Sequence, residues 1–200
     1  MLKKITAISV GLSALSMAAA HATTPGIYAE GQLGYAHTGT RFIKPIPSGK
    51  VDSKYQGGLA ARLAIGYQFN PNLAFEAGYL QLAKQEANLK SPVNQSITIN
   101  QHAFDLVGKG ILPISDKFNL YAKAGLAYLV TDLSGNEIDK RSIINPVAKH
   151  SFAPEAGLGF TYNMTSNVFI DTAFTRIQPI GKNKPSPINM ATIGLGFTFG

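Results

Sequence analysis

Between residues 58 and 79 the chain alternates almost without a break, and that rhythm limits what it can become. Leu59, Ala61, Leu63, Ile65, Tyr67 and Phe69 fall on one parity, while Ala60, Arg62, Ala64, Gly66 and Gln68 fall on the other. After Asn70-Pro71-Asn72 the pattern resumes, with Leu73, Phe75, Ala77 and Tyr79 set against Ala74, Glu76 and Gly78. Successive side chains of a strand point to opposite faces, so this reads as a hairpin with one greasy face and one face of small and ionic residues. A water-soluble sheet would bury the greasy face and carry many charges outside. Arg62 and Glu76 among glycines and alanines are too few to solvate an exterior. The residues fit the inverse arrangement, with lipid outside and a narrow polar lumen inside.

The N-terminus indicates which membrane. Lys3 and Lys4 precede an apolar stretch from Ile5 to Ala20, which ends in Ala20-His21-Ala22. This is the pattern of a secretory signal peptide cleaved after Ala22. The competing reading, a membrane anchor, is weakened by Ser9, Ser13 and Ser16 within the run and by its small-residue end. No later run of about twenty apolar residues could form a transmembrane helix. An exported chain with a lipid-facing sheet must then close into a barrel, because lipid cannot satisfy an open sheet edge. Residues 1–22 are the expected signal peptide and 23–200 the barrel. The mature chain has no cysteine, which excludes a disulfide scaffold and any thiolate site.

Eight strands can be counted, which predicts an all-β, eight-stranded antiparallel up-and-down transmembrane barrel. They are expected at about 26–37, 58–69, 73–79, 97–112, 118–130, 151–163, 168–176 and in the segment ending at Phe199. The connections alternate in length. Short turns are expected at Asn70-Pro71-Asn72, Pro113 to Lys117 and Asn163 to Asn167, and long loops at about 38–56, 82–96, 131–150 and 176–189. Outer-membrane barrels have short periplasmic turns and long extracellular loops, and an even strand count puts both termini on the periplasmic side. Aromatic residues gather at two depths. Tyr67, Phe69, Phe75, Phe118, Tyr162, Phe197 and Phe199 sit near the turns; Tyr35, Tyr79, Tyr128, Phe152 and Phe174 sit near the loops. Two interfacial girdles account for this better than the core of a soluble sandwich, which would scatter them. Glycines before aromatics, as in Gly34-Tyr35, Gly66-Tyr67 and Gly196-Phe197, face inward and leave lumen space for long charged neighbours.

Gly66-Tyr67-Gln68-Phe69-Asn70-Pro71-Asn72 followed by Phe75-Glu76-Ala77-Gly78-Tyr79 resembles the second hairpin of the outer membrane protein A transmembrane domain. Tyr28 and Leu33-Gly34-Tyr35 are similar to its first strand. Lys109 with Pro113-Ile114-Ser115-Asp116, and Gly196-Phe197-Thr198-Phe199-Gly200, resemble its fourth strand with turn and its closing strand. The resemblance covers essentially 26–200. It implies a barrel in the outer membrane of a Gram-negative bacterium, without the periplasmic peptidoglycan-binding domain usual in that family, so cell-wall tethering is not carried over. The outward row ending in Phe197 and Phe199 is the expected assembly signal, one residue early because of Gly200. It implies the barrel-assembly machinery and periplasmic chaperones as partners.

By parity the lumen collects Glu30, Glu76, Asp105, Glu155 and Asp171 against Arg62, Lys109 and Lys123, with Gln32, Gln68 and Tyr121. Two readings compete: a structural polar plug, or an ion path in which a basic side chain exchanges carboxylate partners. An eight-stranded barrel is only wide enough for side chains to fill it, and buried charges must pair, which favours the plug. Glu76 and Lys109 are the expected central pair, since the resemblance also matches both positions. Asp171 stands where that family more often has a basic residue, which implies a different pairing.

The four long loops carry twelve Lys or Arg, including Arg41, Lys44, Lys50, Lys54, Arg176, Lys182 and Lys184, against five acids, a surplus of +7. A basic collar outside the cell suits phosphorylated lipopolysaccharide. Nucleic acid, the other usual partner of basic surfaces, is disfavoured by the extracellular position and the lack of a binding motif. The remaining histidines, His37, His102 and His150, have no metal-ligand spacing, so neither a metal site nor a cofactor is expected. A lipid-acylating trio such as His37, Ser48 and Asp52 can be drawn, but loops of this composition produce such trios by chance. The sequence therefore points to a non-enzymatic structural and surface-interaction barrel, adhesin-like and in contact with lipopolysaccharide, with a possible host surface molecule as partner. A narrow pore is the alternative, and a lipid-modifying enzyme a more distant one.

Overall fold

A computed structural model describes residues 25–38, 51–52, 57–89, 95–134, 148–181 and 183–199. The expected signal peptide lies outside the described residues. The strands are β1 (Gly26–Thr38), β2 (Val51–Asp52), β3 (Gly57–Asn70), β4 (Leu73–Leu82), β5 (Gln85–Leu89), β6 (Gln95–Pro113), β7 (Phe118–Ser134), β8 (His150–Asn163), β9 (Val168–Ile177) and β10 (Ile188–Phe199). Eight of them form the barrel wall. Every neighbouring pair is antiparallel, β1 pairs with both β3 and β10, and pairing of β6 with β7 closes the ring. Closure leaves no edge for lipid to meet.

The burial is inverted relative to a soluble protein. Leu33 and Leu158 are each 67% exposed, whereas Arg62 is 1% exposed. Each wall strand repeats this with period two, so leucine, isoleucine and phenylalanine meet lipid while the charged positions face the axis. At the turn end Phe197 stacks edge-to-face on Phe199, and Phe69 on Phe75. At the loop end Tyr79 leans on Phe104 and Tyr128 on Phe152.

The second connection differs from the expected loop over 82–96. After Ala83 and Lys84 the chain re-enters the ladder one register later: Gln81 opposes His102, but Gln85 opposes Ile99. β5 and the start of β6 thus carry the hairpin beyond the membrane band, and β2 adds two residues against Leu89 and Asn88. β7 likewise runs on to Ser134, inside the expected loop over 131–150. Ladder hydrogen bonds do not require a greasy face, so strands continue into water after the apolar rhythm stops.

Some inward glycines serve aromatic rings rather than long charged chains. A Cβ at Gly66 would run into the Tyr28 ring, one at Gly159 into Tyr121, and one at Gly196 into Phe169. Gly78 does face the ionic layer: its Cβ would lie 2.7 Å from both Arg62 Nη2 and Asp105 Oδ1.

Candidate functional site: the charged lumen and the outer rim

All eight charged positions assigned to the lumen lie buried inside the barrel. Seven wall strands contribute, since β1 supplies Glu30, β3 Arg62, β4 Glu76, β6 Asp105 and Lys109, β7 Lys123, β8 Glu155 and β9 Asp171. Arg62 is the hub. Its Nε and Nη2 donate to the two carboxylate oxygens of Asp105 at 3.0 and 2.6 Å, Nη1 donates to Glu30 at 2.9 Å, and Nη2 also reaches Glu76 at 3.1 Å. A planar guanidinium suits this role because its five donors lie in a fixed fork. Lys109 pairs with Glu76 and stands 3.8 Å from both Glu30 and Asp171. Its ammonium also sits 4.4 Å from the centre of the Tyr121 ring. Lys123 pairs with Glu155 at 2.9 Å.

Neutral donors complete the layer. Tyr28 donates to Glu76 at 2.8 Å. Asp171 accepts from Gln32 at 2.7 Å, Tyr121 at 2.8 Å and Thr161 at 3.3 Å. An acid at position 171 is therefore held mainly by hydroxyl and amide groups. The inward parity of Tyr28 could have flagged its part in this layer.

Above the ionic layer lies a seal that the sequence reading missed. Leu80, Leu82, Leu129, Ile177, Ile188 and Met190 point inward and pack with inward alanines into one apolar cluster on the loop side. The signal was present, since Leu80 and Leu82 continue the parity of Glu76, and Ile177 that of Asp171. The chain after β9 runs on beside β8. Gln178 and Ile180 donate backbone N–H groups to Pro154 and Phe152, extending the β8 ladder, and Pro179, Pro185 and Ser186 are buried. At the turn end a cavity of about 40 Å³, lined by Tyr28, Asn119, Tyr121 and Phe169 among others, reaches inward to Lys109. That is room for about one water molecule.

The other assigned residues lie apart from this layer. Phe197 and Phe199 face outward at the turn end of β10. Arg41, Lys44, Lys50, Lys54 and Lys182 lie outside the described residues, as do Ser48 and Gly200. Lys184 is half-buried in the last loop. Arg176, counted with the loop bases but also the expected end of the strand over 168–176, occupies the outer end of β9 and faces outward, because the ladder runs to Ile177. His37, His102 and His150 all face outward at the loop end of the wall, with His150 stacked on Tyr128.

A closed eight-stranded barrel with an apolar exterior, aromatic girdles and an ionic interior is a small transmembrane barrel of the Gram-negative outer membrane. The chain belongs to the outer membrane protein beta-barrel domain family, which matches residues 7–199. A curated protein of Coxiella burnetii, described as uncharacterized, is 28% identical over 87% of this chain and 85% of its own length. Among solved structures, the outer membrane protein OprG of Pseudomonas aeruginosa superposes with a TM-score of 0.62 at 13% identity, over 90% of this chain and 98% of its own. Neisserial surface protein A gives 0.58 at 15%, over 87% and 97%. The outer membrane enzyme PagL gives 0.51 at 13%, over 86% and 99%. At these identities the likeness is one of fold.

Proposed function

We propose that this barrel is a structural and surface-interaction protein, non-enzymatic, whose working part is its loop end in contact with lipopolysaccharide. The observation that carries this reading is the doubly filled lumen. Arg62 and Lys109 bind carboxylates from four strands, and the apolar cluster around Leu80, Leu129 and Met190 excludes water above them. An ion entering from the turn end would meet Lys109 and then hydrocarbon, at a desolvation cost that ion pairing cannot offset there. What remains accessible is the exterior. Its loop end carries the +7 surplus, which includes Arg176 on the outer end of β9 beneath the loops. Such a surface suits lipid phosphates first and, through the loop tips, an anionic host molecule in an adhesin-like role.

The test is association of the folded protein with phosphorylated lipopolysaccharide across a salt series. Parent binding should fall from low to physiological ionic strength, since exposed charges are screened. Neutralising Lys44, Lys50, Lys182 and Lys184 to Gln should weaken it while folding is unchanged. Equal binding by variant and parent at every salt concentration would reduce the collar to ordinary solvated charge.

A further inference from the structure

We propose that the outer wall formed by β1, β10 and β9 is a binding site for one phosphorylated glycolipid of the lipid A type, with phosphate at the rim and an acyl chain below. The inference rests on the lipopolysaccharide-facing reading of the loop end and gives it a specific seat on the strands. Arg176 is exposed on β9, and its Nη1 and Nη2 donate to the side-chain oxygens of Asn189 at 3.3 Å and Gln178 at 2.9 Å. Both partners are neutral. Among the described residues no carboxylate pairs with this guanidinium, so two amides orient it while its charge stays uncompensated. Its remaining N–H groups are free for a doubly or triply coordinating anion, which the planar fork favours.

The register places a second donor at the same level. Arg176 opposes Asn189, and Asn189 opposes His37, so His37, Asn189 and Arg176 form one row across three strands. Adjacent strands are about 4.8 Å apart, so the outer two stand roughly 10 Å from each other, a span that the long Arg176 side chain and the His37 imidazole can close around one phosphate.

The wall directly beneath fits the rest of such a molecule. One step down, Ala191 lies between Tyr35 and Phe174, leaving a gap between two exposed rings. Further down, roughly 14 Å along the strand from the rim row, the same three strands form an open apolar groove lined by Gly31, Leu33, Ile170, Ile193 and Leu195. The groove exists because Gly31 faces lipid between larger neighbours. A Cβ there would only touch Leu63, at 3.4 Å. Rim donors, ring gap and groove therefore line up on one sector. The loop-end position assigns the site to the outer leaflet, whose lipid carries phosphate on a sugar and several acyl chains.

Native mass spectrometry of the folded, detergent-solubilised protein tests this with diphosphorylated lipid A, the same lipid after phosphatase treatment, and phosphatidylglycerol. The parent should retain one diphosphorylated lipid A, and removing the phosphates should weaken retention about tenfold, the scale of one lost charge-assisted contact. The double variant Arg176→Gln/His37→Gln should show a similar loss, as should Gly31→Leu, which fills the groove without touching the rim. His102→Gln, at the rim of the opposite wall, should bind like the parent and serves as the folding-matched control. Unchanged retention by both the rim and groove variants would overturn the site. Equal retention of phosphatidylglycerol would overturn its assignment to the outer-leaflet glycolipid. The loop-lysine quadruple variant separates this site from the collar. Loss of lipopolysaccharide binding there, with lipid A retention unmoved, supports both. Loss in the rim variant alone leaves the strand site standing and removes the collar.

Discussion

Replacing Glu76 and Lys109 singly and together probes the ionic layer most sharply, because the structure assigns the two ends unequal weight. Glu76 accepts from Tyr28, Arg62 and Lys109. In Glu76→Gln the amide keeps the volume and one acceptor, Arg62 keeps Asp105 and Glu30, and Lys109 keeps two carboxylates at 3.8 Å. Lys109→Met removes the cation on which Glu76, Glu30 and Asp171 converge. It also deepens the existing lumen imbalance of five acids against three bases. Breaking a buried pair costs about 3–5 kcal/mol. Lys109→Met should lie at the top of that range, and Glu76→Gln at or below its bottom. The double variant should cost less than the sum by about 1–3 kcal/mol, since the second change removes a group already left unpaired. The chain has no tryptophan, so urea unfolding in phospholipid vesicles is followed by circular dichroism and by heat-modifiable gel mobility. Simple additivity, or a costlier Glu76→Gln, would refute the pairing scheme.

Three further outcomes are expected. Leu63→Arg and Leu195→Arg, on the lipid face, should each cost about 2–4 kcal/mol at mid-bilayer, while the inward Ala64→Ser is tolerated; equal sensitivity at 63 and 64 in the same unfolding assay would contradict the assigned faces. Gly196→Val should impair folding by colliding with the Phe169 ring, and combining it with Phe169→Ala should restore folding yield, since the nearest atoms to a Cβ there all belong to that ring. Glu30→Gln should be the mildest lumen change, near neutral, because Glu30 Oε2 has no hydrogen-bond partner and the lumen already holds excess negative charge; a cost matching that of Lys109→Met would contradict this.

The strand count and the face of each residue were legible in the sequence because both are local. Period two in Leu59–Phe69 and Leu73–Tyr79 sets the side on which Arg62 and Glu76 lie, whatever the rest of the chain does. Pairing was less legible. Asp105 meets Arg62 because the tilt and stagger of a closed barrel bring a residue of β6 level with one of β3 across the intervening β4, and no spacing in the chain encodes that. The apolar seal escaped notice for another reason. Leu80, Leu129 and Met190 keep the inward parity of the charged layer but are themselves apolar, so a rule that assigns greasy residues to lipid and polar ones to the lumen does not single them out. The extended hairpin of β5 and β6 was read as a loop because outside the membrane neither face needs to be greasy. Arg176 stood at the boundary between the expected strand over 168–176 and the expected loop over 176–189 and was counted with the loop bases, whereas the ladder holds it on the wall.

The central claim is that the lumen is sealed, and planar-bilayer recording of the purified folded protein addresses it directly. A sealed lumen should give a silent baseline for the parent under a holding potential. Leu80→Ser combined with Leu129→Ser, which wets the apolar layer above Arg62, should increase current noise or brief openings. Discrete, long-lived conductance steps from the parent protein would mean that the lumen is open and make this barrel a pore.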